Sequence, residues 1–153
     1  MSQPPSELAP LLKVCSLLNE AGARYLIVGG QAVILHGLVR TTEDVDILIE
    51  ATEENARKVW EALSHLSDGA IRELSPHDLL DGVSKIADEV EVDVSVHAWK
   101  VNYAEAIGTA LEVTIEGVLI PYVSYEMLVA SKQTYREKDQ WDLMQLRALK
   151  ERK

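Results

Sequence analysis

Residues 90–97 alternate without a break: Val90, Val92, Val94 and Val96 are apolar, while Glu91, Asp93, Ser95 and His97 are polar or titratable. Successive side chains of a strand leave opposite faces. This stretch therefore requires a sheet whose one face is buried in a core and whose other face is open to polar chemistry. Helical stretches are present to cover the apolar side. Leu8, Leu11, Leu12, Cys15 and Leu18 recur at helical spacing over about 6–21, with Pro10 near the start and Gly22 at the stop. Over 53–66, Ala56, Val59, Trp60, Leu63 and Leu66 share one helical face.

Further strands and helices follow from the same reading. Tyr25-Leu26-Ile27-Val28 is a short buried-strand pattern broken by Gly29-Gly30, and residues 31–36 form a short helix closed by Gly37. Residues 44–49 make a second strand, and 71–74 a short one. Ser75-Pro76 opens a brief helix that runs to Asp81-Gly82. Residues 102–108 form another short helix, and 111–115 with 118–122 a hairpin turning at Glu116-Gly117. Ser124 caps a helix to about 135, and 138–150 form the last. The expected fold is α+β, a mixed β-sheet flanked by helices, in one domain over 1–153 with 1–5 as a frayed leader.

Composition narrows the function classes. At 47% hydrophobic and 26% charged residues the chain is not disordered, and 8 Gly with 5 Pro exclude a collagen-like or low-complexity chain. Its 25 acidic and 15 basic residues leave a net charge of −10, which repels phosphate backbones. DNA is excluded as a partner, and RNA is disfavoured. Cys15, the one cysteine, has no intrachain partner, reads as a core residue and suits a reducing cytoplasm. No signal-peptide pattern opens the chain, and no apolar run approaches the roughly 18–20 residues that cross a bilayer. No membrane association is expected.

The chemistry centres on acids. Asp44 and Asp46 stand two apart on one strand, so both leave the same face, and Asp93 leaves the polar face of its own strand. If those strands are neighbours, three carboxylates converge within reach of two cations about 3.5–4 Å apart. Taken singly, each acid is better explained as the wet face of a half-buried sheet. Asp is, however, a poor strand former in front of a hydrophobic run. Gly29-Gly30, between a strand and a helix, allows a phosphate to approach backbone N–H groups, although a tight turn explains it equally well. The segment is neither a G-x-G-x-x-G fingerprint nor a P-loop.

Other polar residues divide between solvent and site. Arg40 and Lys132 are candidate phosphate clamps, the alternatives being an exposed loop and a solvated helix face. Arg136, Lys138, Asp139 and Asp142 read as helix-surface ion pairs, and Thr42 as a loop hydrogen-bonder. His97 shares a face with Asp93, but no histidine has zinc-site spacing and no nucleophile elbow is present. Trp60, Trp99 and Trp141 read as core or helix-packing residues.

In combination these pieces resemble the nucleotidyltransferase superfamily, which shares its core with the DNA polymerase β palm. The match runs from Val28-Gly29-Gly30 through Arg40-Thr41-Thr42-Glu43-Asp44-Val45-Asp46-Ile47 to Val92-Asp93-Val94. Ile120-Pro121, Lys132, Arg136 and Lys138-Asp139-Gln140-Trp141-Asp142-Leu143 are similar to the ending of small bacterial members. Those include toxin-like proteins of type IV toxin–antitoxin systems and relatives of the aminoglycoside and lincosamide nucleotidyltransferases. The resemblance spans about 20–147. It departs at Gly30-Gln31, where many members have a Ser after the first Gly, and in the short gap between Lys132 and Arg136.

The resemblance implies a nucleotidyltransferase (polymerase β palm-like) fold and transfer of an NMP from an NTP to a hydroxyl, with release of pyrophosphate. Asp44 and Asp46 would hold two Mg²⁺ (or Mn²⁺) ions and the triphosphate. Asp93 would activate the acceptor hydroxyl or hold the second ion, and Gly29 and Gly30 would meet the phosphates. The acceptor would be a small molecule, a partner protein or an RNA end, with a partner protein able to complete the site. The alternative is a non-catalytic nucleotide-binding or partner-binding component, regulatory or of toxin–antitoxin type.

Overall fold

The computed structural model describes residues 8–38, 42, 44–133 and 136–151. In chain order the elements are α1 (Ala9–Glu20), β1 (Tyr25–Val28), α2 (Gly29–Leu35), β2 (Val45–Ile49), α3 (Glu53–Leu63), β3 (Val83–Ala87), β4 (Glu91–Ser95), β5 (His97–Ala98), β6 (Val101–Asn102), α4 (Tyr103–Ala106), β7 (Leu111–Ile115), β8 (Val118–Tyr122), α5 (Tyr125–Ser131) and α6 (Glu137–Glu151). Six strands form one sheet in the order β3-β4-β2-β1-β8-β7, and β5-β6 make a separate two-stranded ribbon.

The sheet is mixed, as expected. β2 runs antiparallel to β1 and parallel to β4, while β1 is parallel to β8. Register places Val45 opposite Val92 and Ile47 opposite Val94, all four fully buried in the core. The core also takes Leu11, Val14, Cys15 and Leu18 from α1 and Ala56, Val59 and Leu63 from α3. Burial of these stripes, at about 25 cal/mol per Å² of apolar surface, is the main favourable term in the fold. The alternation of β4 thus sorts its residues: valines inward, Asp93 to the other face.

Local signals set the element ends. The Thr52 hydroxyl accepts from the Asn55 N–H at 3.2 Å to start α3, and the Ser124 hydroxyl accepts from the Met127 N–H at 3.2 Å to start α5. Ser75 and Asp78 form a reciprocal capping box at the start of the 3-10 turn Pro76–Leu80. The β7–β8 hairpin turns at Glu116-Gly117, both with positive φ.

Four expectations need correction. Residues Ala70–Glu73 form a 3-10 turn instead of a strand, because the Trp60 indole N–H donates to the carbonyls of Ile71 and Leu74. β3 is an additional strand; only Ile86 is buried in it, so no apolar alternation marks it, and backbone pairing to β4 holds it. The helix begun by Ser124 ends at Ser131. Trp99 and Trp141 are each 47% exposed and do not belong to the core, unlike the half-buried Trp60. Among the described residues no helix is long and apolar enough to cross a membrane.

Candidate active site

β2 and β4 lie side by side with Asp46 directly opposite Asp93. Asp44 immediately precedes β2 and reaches the carboxyl of Glu91, one step further along the same polar face. The three predicted carboxylates are thus brought onto one face of two adjacent strands. Glu91 is a fourth that sequence reasoning passed over, although its position two before Asp93 was a signal.

Like charges set opposite each other on a sheet repel. Burial, followed by the hydrogen bond and charge of Asp93 and the charge of Asp44, pushes the Asp46 carboxyl up to about 7, and Lys132 pulls in the opposite direction. The hydrogen bond to Asp44 and its charge likewise raise the Glu91 carboxyl above its ordinary range. Oδ1 of Asp93 is buried and has no hydrogen-bond partner. Nζ of the exposed Lys85 lies 3.9 Å from Oδ2 of Asp93.

This electrostatic state fits a divalent cation, a hard ion that takes carboxylate oxygens. It would neutralise the Asp46–Asp93 pair and supply a partner for the orphaned oxygen. Among the described residues, however, no three His, Cys, Asp or Glu side chains already stand together as a closed metal shell. The acids come as cross-strand pairs, so an ion would draw the pairs together.

The Gly-Gly step lets the chain turn against the Asp46 carboxylate. Val28 pairs with Asp46 in register, and the chain turns at Gly29, with φ +67°, directly into α2. A Cβ at Gly29 would overlap Oδ2 of Asp46 and lie 2.8 Å from its Cγ. Glycine is required here twice, by the left-handed backbone and by the carboxylate against it. Gly29→Ala should therefore displace Asp46 and lower Tm by roughly 3–8 °C. Gly22→Ala is the control: its φ of +70° is similar, but nothing lies within 4 Å. Equal melting losses in the two variants would disprove the contact with Asp46.

α5 and α6 bring the cations. Lys132, 5% exposed, follows α5 and donates from Nζ to Asp142 Oδ2 at 2.8 Å and to Asp139 Oδ1 at 3.2 Å. Nε of Arg136 donates to Asp139 Oδ2 at 2.8 Å. The expected helix-surface pairs are thus a buried cluster, with Asp139 and Asp142 at 1% and 0% exposure. Spaced three apart on α6, they share its inward face with Leu143 and Leu146. Arg40 lies outside the described residues.

One cavity of about 720 Å³ opens on Gly29, Gly30, Asp44, Asp46 and Asp93 and is also bounded by Lys132, Arg136 and Lys138. That volume lies within the roughly 300–1,000 Å³ of small-molecule sites. Lys132 and Arg136 border this cavity together with Asp139, to which both are paired. Thr42, His97 and Trp99 also line the cavity.

No protein-family model matches the chain, and no curated protein matches it. Solved structures do. A nucleotidyltransferase-like protein, described as antigenic, from Paracoccidioides brasiliensis is 20% identical with a TM-score of 0.59, over 94% of this chain and 76% of that one. The lincomycin-bound lincosamide antibiotic adenylyltransferase LnuA is also 20% identical with a TM-score of 0.58, over 90% of this chain and 94% of that one. The chain has the α+β fold of nucleotidyltransferases.

Proposed function

We propose that the protein is a metal-dependent nucleotidyltransferase that moves an NMP from an NTP to a hydroxyl acceptor and releases pyrophosphate. The observation that carries this reading is the register pairing of Asp46 with Asp93, with Asp44 on the same face and Gly29 against the Asp46 carboxylate. The likeness to an adenylyltransferase supports the same class of chemistry.

In this reading Asp44 and Asp46 would hold the cations, and Asp93 would either share an ion or take the proton from the acceptor hydroxyl. Mg²⁺ or Mn²⁺, when bound, supplies positive charge to the α-phosphate and the departing pyrophosphate. Gly29 and Gly30 would meet the triphosphate through their backbone, and Lys132 with Arg136 would offset its charge. The acceptor oxygen bonds to the α-phosphorus and the bond from that phosphorus to the pyrophosphate oxygen breaks; where Asp93 acts as the base, it takes the hydroxyl proton. A small molecule or a partner protein suits the acidic chain better than RNA does.

The test is thermal melting with each of the four NTPs, with and without Mg²⁺, on wild type and Asp46→Asn. A ligand at about 100-fold over its Kd adds about 2.7 kcal/mol, a rise of several degrees at this size. A rise that needs both Mg²⁺ and Asp46 is the expected result. No rise with any nucleotide would overturn the reading. A rise without pyrophosphate release, whatever hydroxyl compound is offered, would turn it into a binding component.

The metal-free protein should also carry a pH signature. Asp46 keeps its proton to about pH 7 when folded but only to about 3.8 when unfolded. Between these values the folded state binds more protons, so stability falls as pH rises through the window and is level above it. The expected melting curve declines from about pH 4 to 7, and Asp46→Asn flattens that decline. An identical pH profile in the variant would show that Asp46 is not the group responsible.

A further inference from the structure

Trp99 is placed where a folding argument alone would not put it. It opens the two-residue turn Trp99-Lys100 of the β5–β6 ribbon, which the pair Ala98–Val101 closes. Its φ is +59°, in the left-handed region that bulky side chains avoid and that Gly or Asn fills in such turns. In return its ring is not buried: Trp99 is 47% exposed and lines the cavity that holds the aspartates. Strain retained without burial points towards a ligand.

The neighbouring residues say which part of a ligand. Along the sheet, Gly29 follows β1, then come Asp46 on β2, Asp93 on β4 and Val83 on the edge strand β3. Val83 is 61% exposed, pairs with Ser95 and lines the same cavity. With the triphosphate on the Gly29 side in the transferase reading, the far side, beyond Asp93, carries the exposed Val83 beside Lys85. Lys100 Nζ is 6.0 Å from the centre of the Trp99 ring, the limit of a cation–π contact.

We infer that Trp99, with Val83, forms an acceptor subsite that takes a small molecule bearing a flat apolar or aromatic ring next to the hydroxyl to be modified. The inference rests on the transferase reading and narrows its acceptor class. A ring stacked on Trp99 would bring its hydroxyl towards Asp93, and Trp99 would act as a positioning residue for the acceptor.

The test uses two matched hydroxyl probes, phenyl β-D-glucopyranoside and methyl β-D-glucopyranoside. Their binding to the full chain is followed by calorimetry with and without Mg²⁺ and α,β-methylene-ATP. The phenyl probe should bind about five- to tenfold tighter than the methyl probe. Trp99→Gly should abolish that preference while Tm rises by about 2–4 °C, because Gly relieves the turn. Trp99→Phe should keep most of the preference. Equal binding of the two probes to wild type, or a preference that survives Trp99→Gly, would overturn the subsite. A fall of several degrees in Tm for Trp99→Gly would do so too, by showing that the ring serves the fold. The nucleotide shift separates this failure from that of the transferase reading. If the NTP–Mg²⁺ shift persists while the probe preference is missing, only the subsite fails.

Discussion

Asp46→Asn should eliminate NMP transfer, by about a thousandfold or more, while leaving a folded protein that melts higher than wild type when metal is absent. Both effects come from one carboxylate. Asp46 stands opposite Asp93 and against Gly29. Losing its charge removes a ligand from any ion bridging the pair, and electrostatic groups of this kind contribute about 10²–10³ each to rate. Loss of the ion as well compounds that figure. The stabilising effect follows from the raised Asp46 carboxyl, pushed up to about 7 from 3.8 by burial and by Asp93. At about 1.4 kcal/mol per pKa unit, ionised Asp46 strains the metal-free fold by at most about 4 kcal/mol above pH 7. Asn is nearly isosteric and uncharged, so it escapes this cost. Transfer is measured with α-labelled NTP and the small-molecule fraction of a cell extract as acceptor pool, and stability by melting at pH 8 in chelator. Labelled product in equal yield would refute the metal role, and a large fall in Tm would refute the charge argument.

Much of this site was legible from patterns of period two. The alternation over 90–97 assigned the valines to the core and Asp93 to the polar face, and β4 is buried in that way. Asp44 and Asp46 followed from the same rule, and the Gly29 turn from its composition. Whether the two acidic strands are neighbours could not be read along the chain. β4 forms a hairpin with its sequence neighbour β3, but on its other side it lies parallel to β2, from which α3 separates it in the chain. Glu91 was overlooked for the same reason, since its meaning comes from Asp44 across the sheet. β3 was missed because an edge strand held by backbone pairing needs no hydrophobic stripe. Trp99 was misread because aromatic residues are most often buried, and only its φ and exposure show that this one is not. Asp139 and Asp142 look like solvated charges in sequence. Their burial becomes sensible only when Lys132, from the preceding helix, is placed between them.

Lys132→Met should accordingly destabilise the fold by about 3–5 kcal/mol, a fall in Tm of roughly 6–20 °C. The ammonium is 5% exposed and satisfies carboxylate oxygens of both Asp139 and Asp142. A buried ion pair contributes little net stability when it is compared with a well-packed apolar substitute, since both charges lose their hydration. Removing one member is different, because the two buried carboxylates stay in low dielectric with one cationic donor fewer. Lys132 approaches Asp142 at 2.8 Å and Asp139 at 3.2 Å, so the fully buried Asp142 loses the shorter of the two bonds. The double variant Lys132→Met, Asp142→Leu should therefore recover much of the lost stability. That rescue separates the two roles open to Lys132. Lys132 borders the cavity, and its charge is felt at Asp46, so a refolded double variant that no longer gains Tm from NTP and Mg²⁺ identifies it as a phosphate clamp as well as a buried counterion. A double variant with the full nucleotide shift would confine Lys132 to holding α5 against α6. An unchanged Tm in Lys132→Met alone would mean that the buried cluster contributes nothing to the fold.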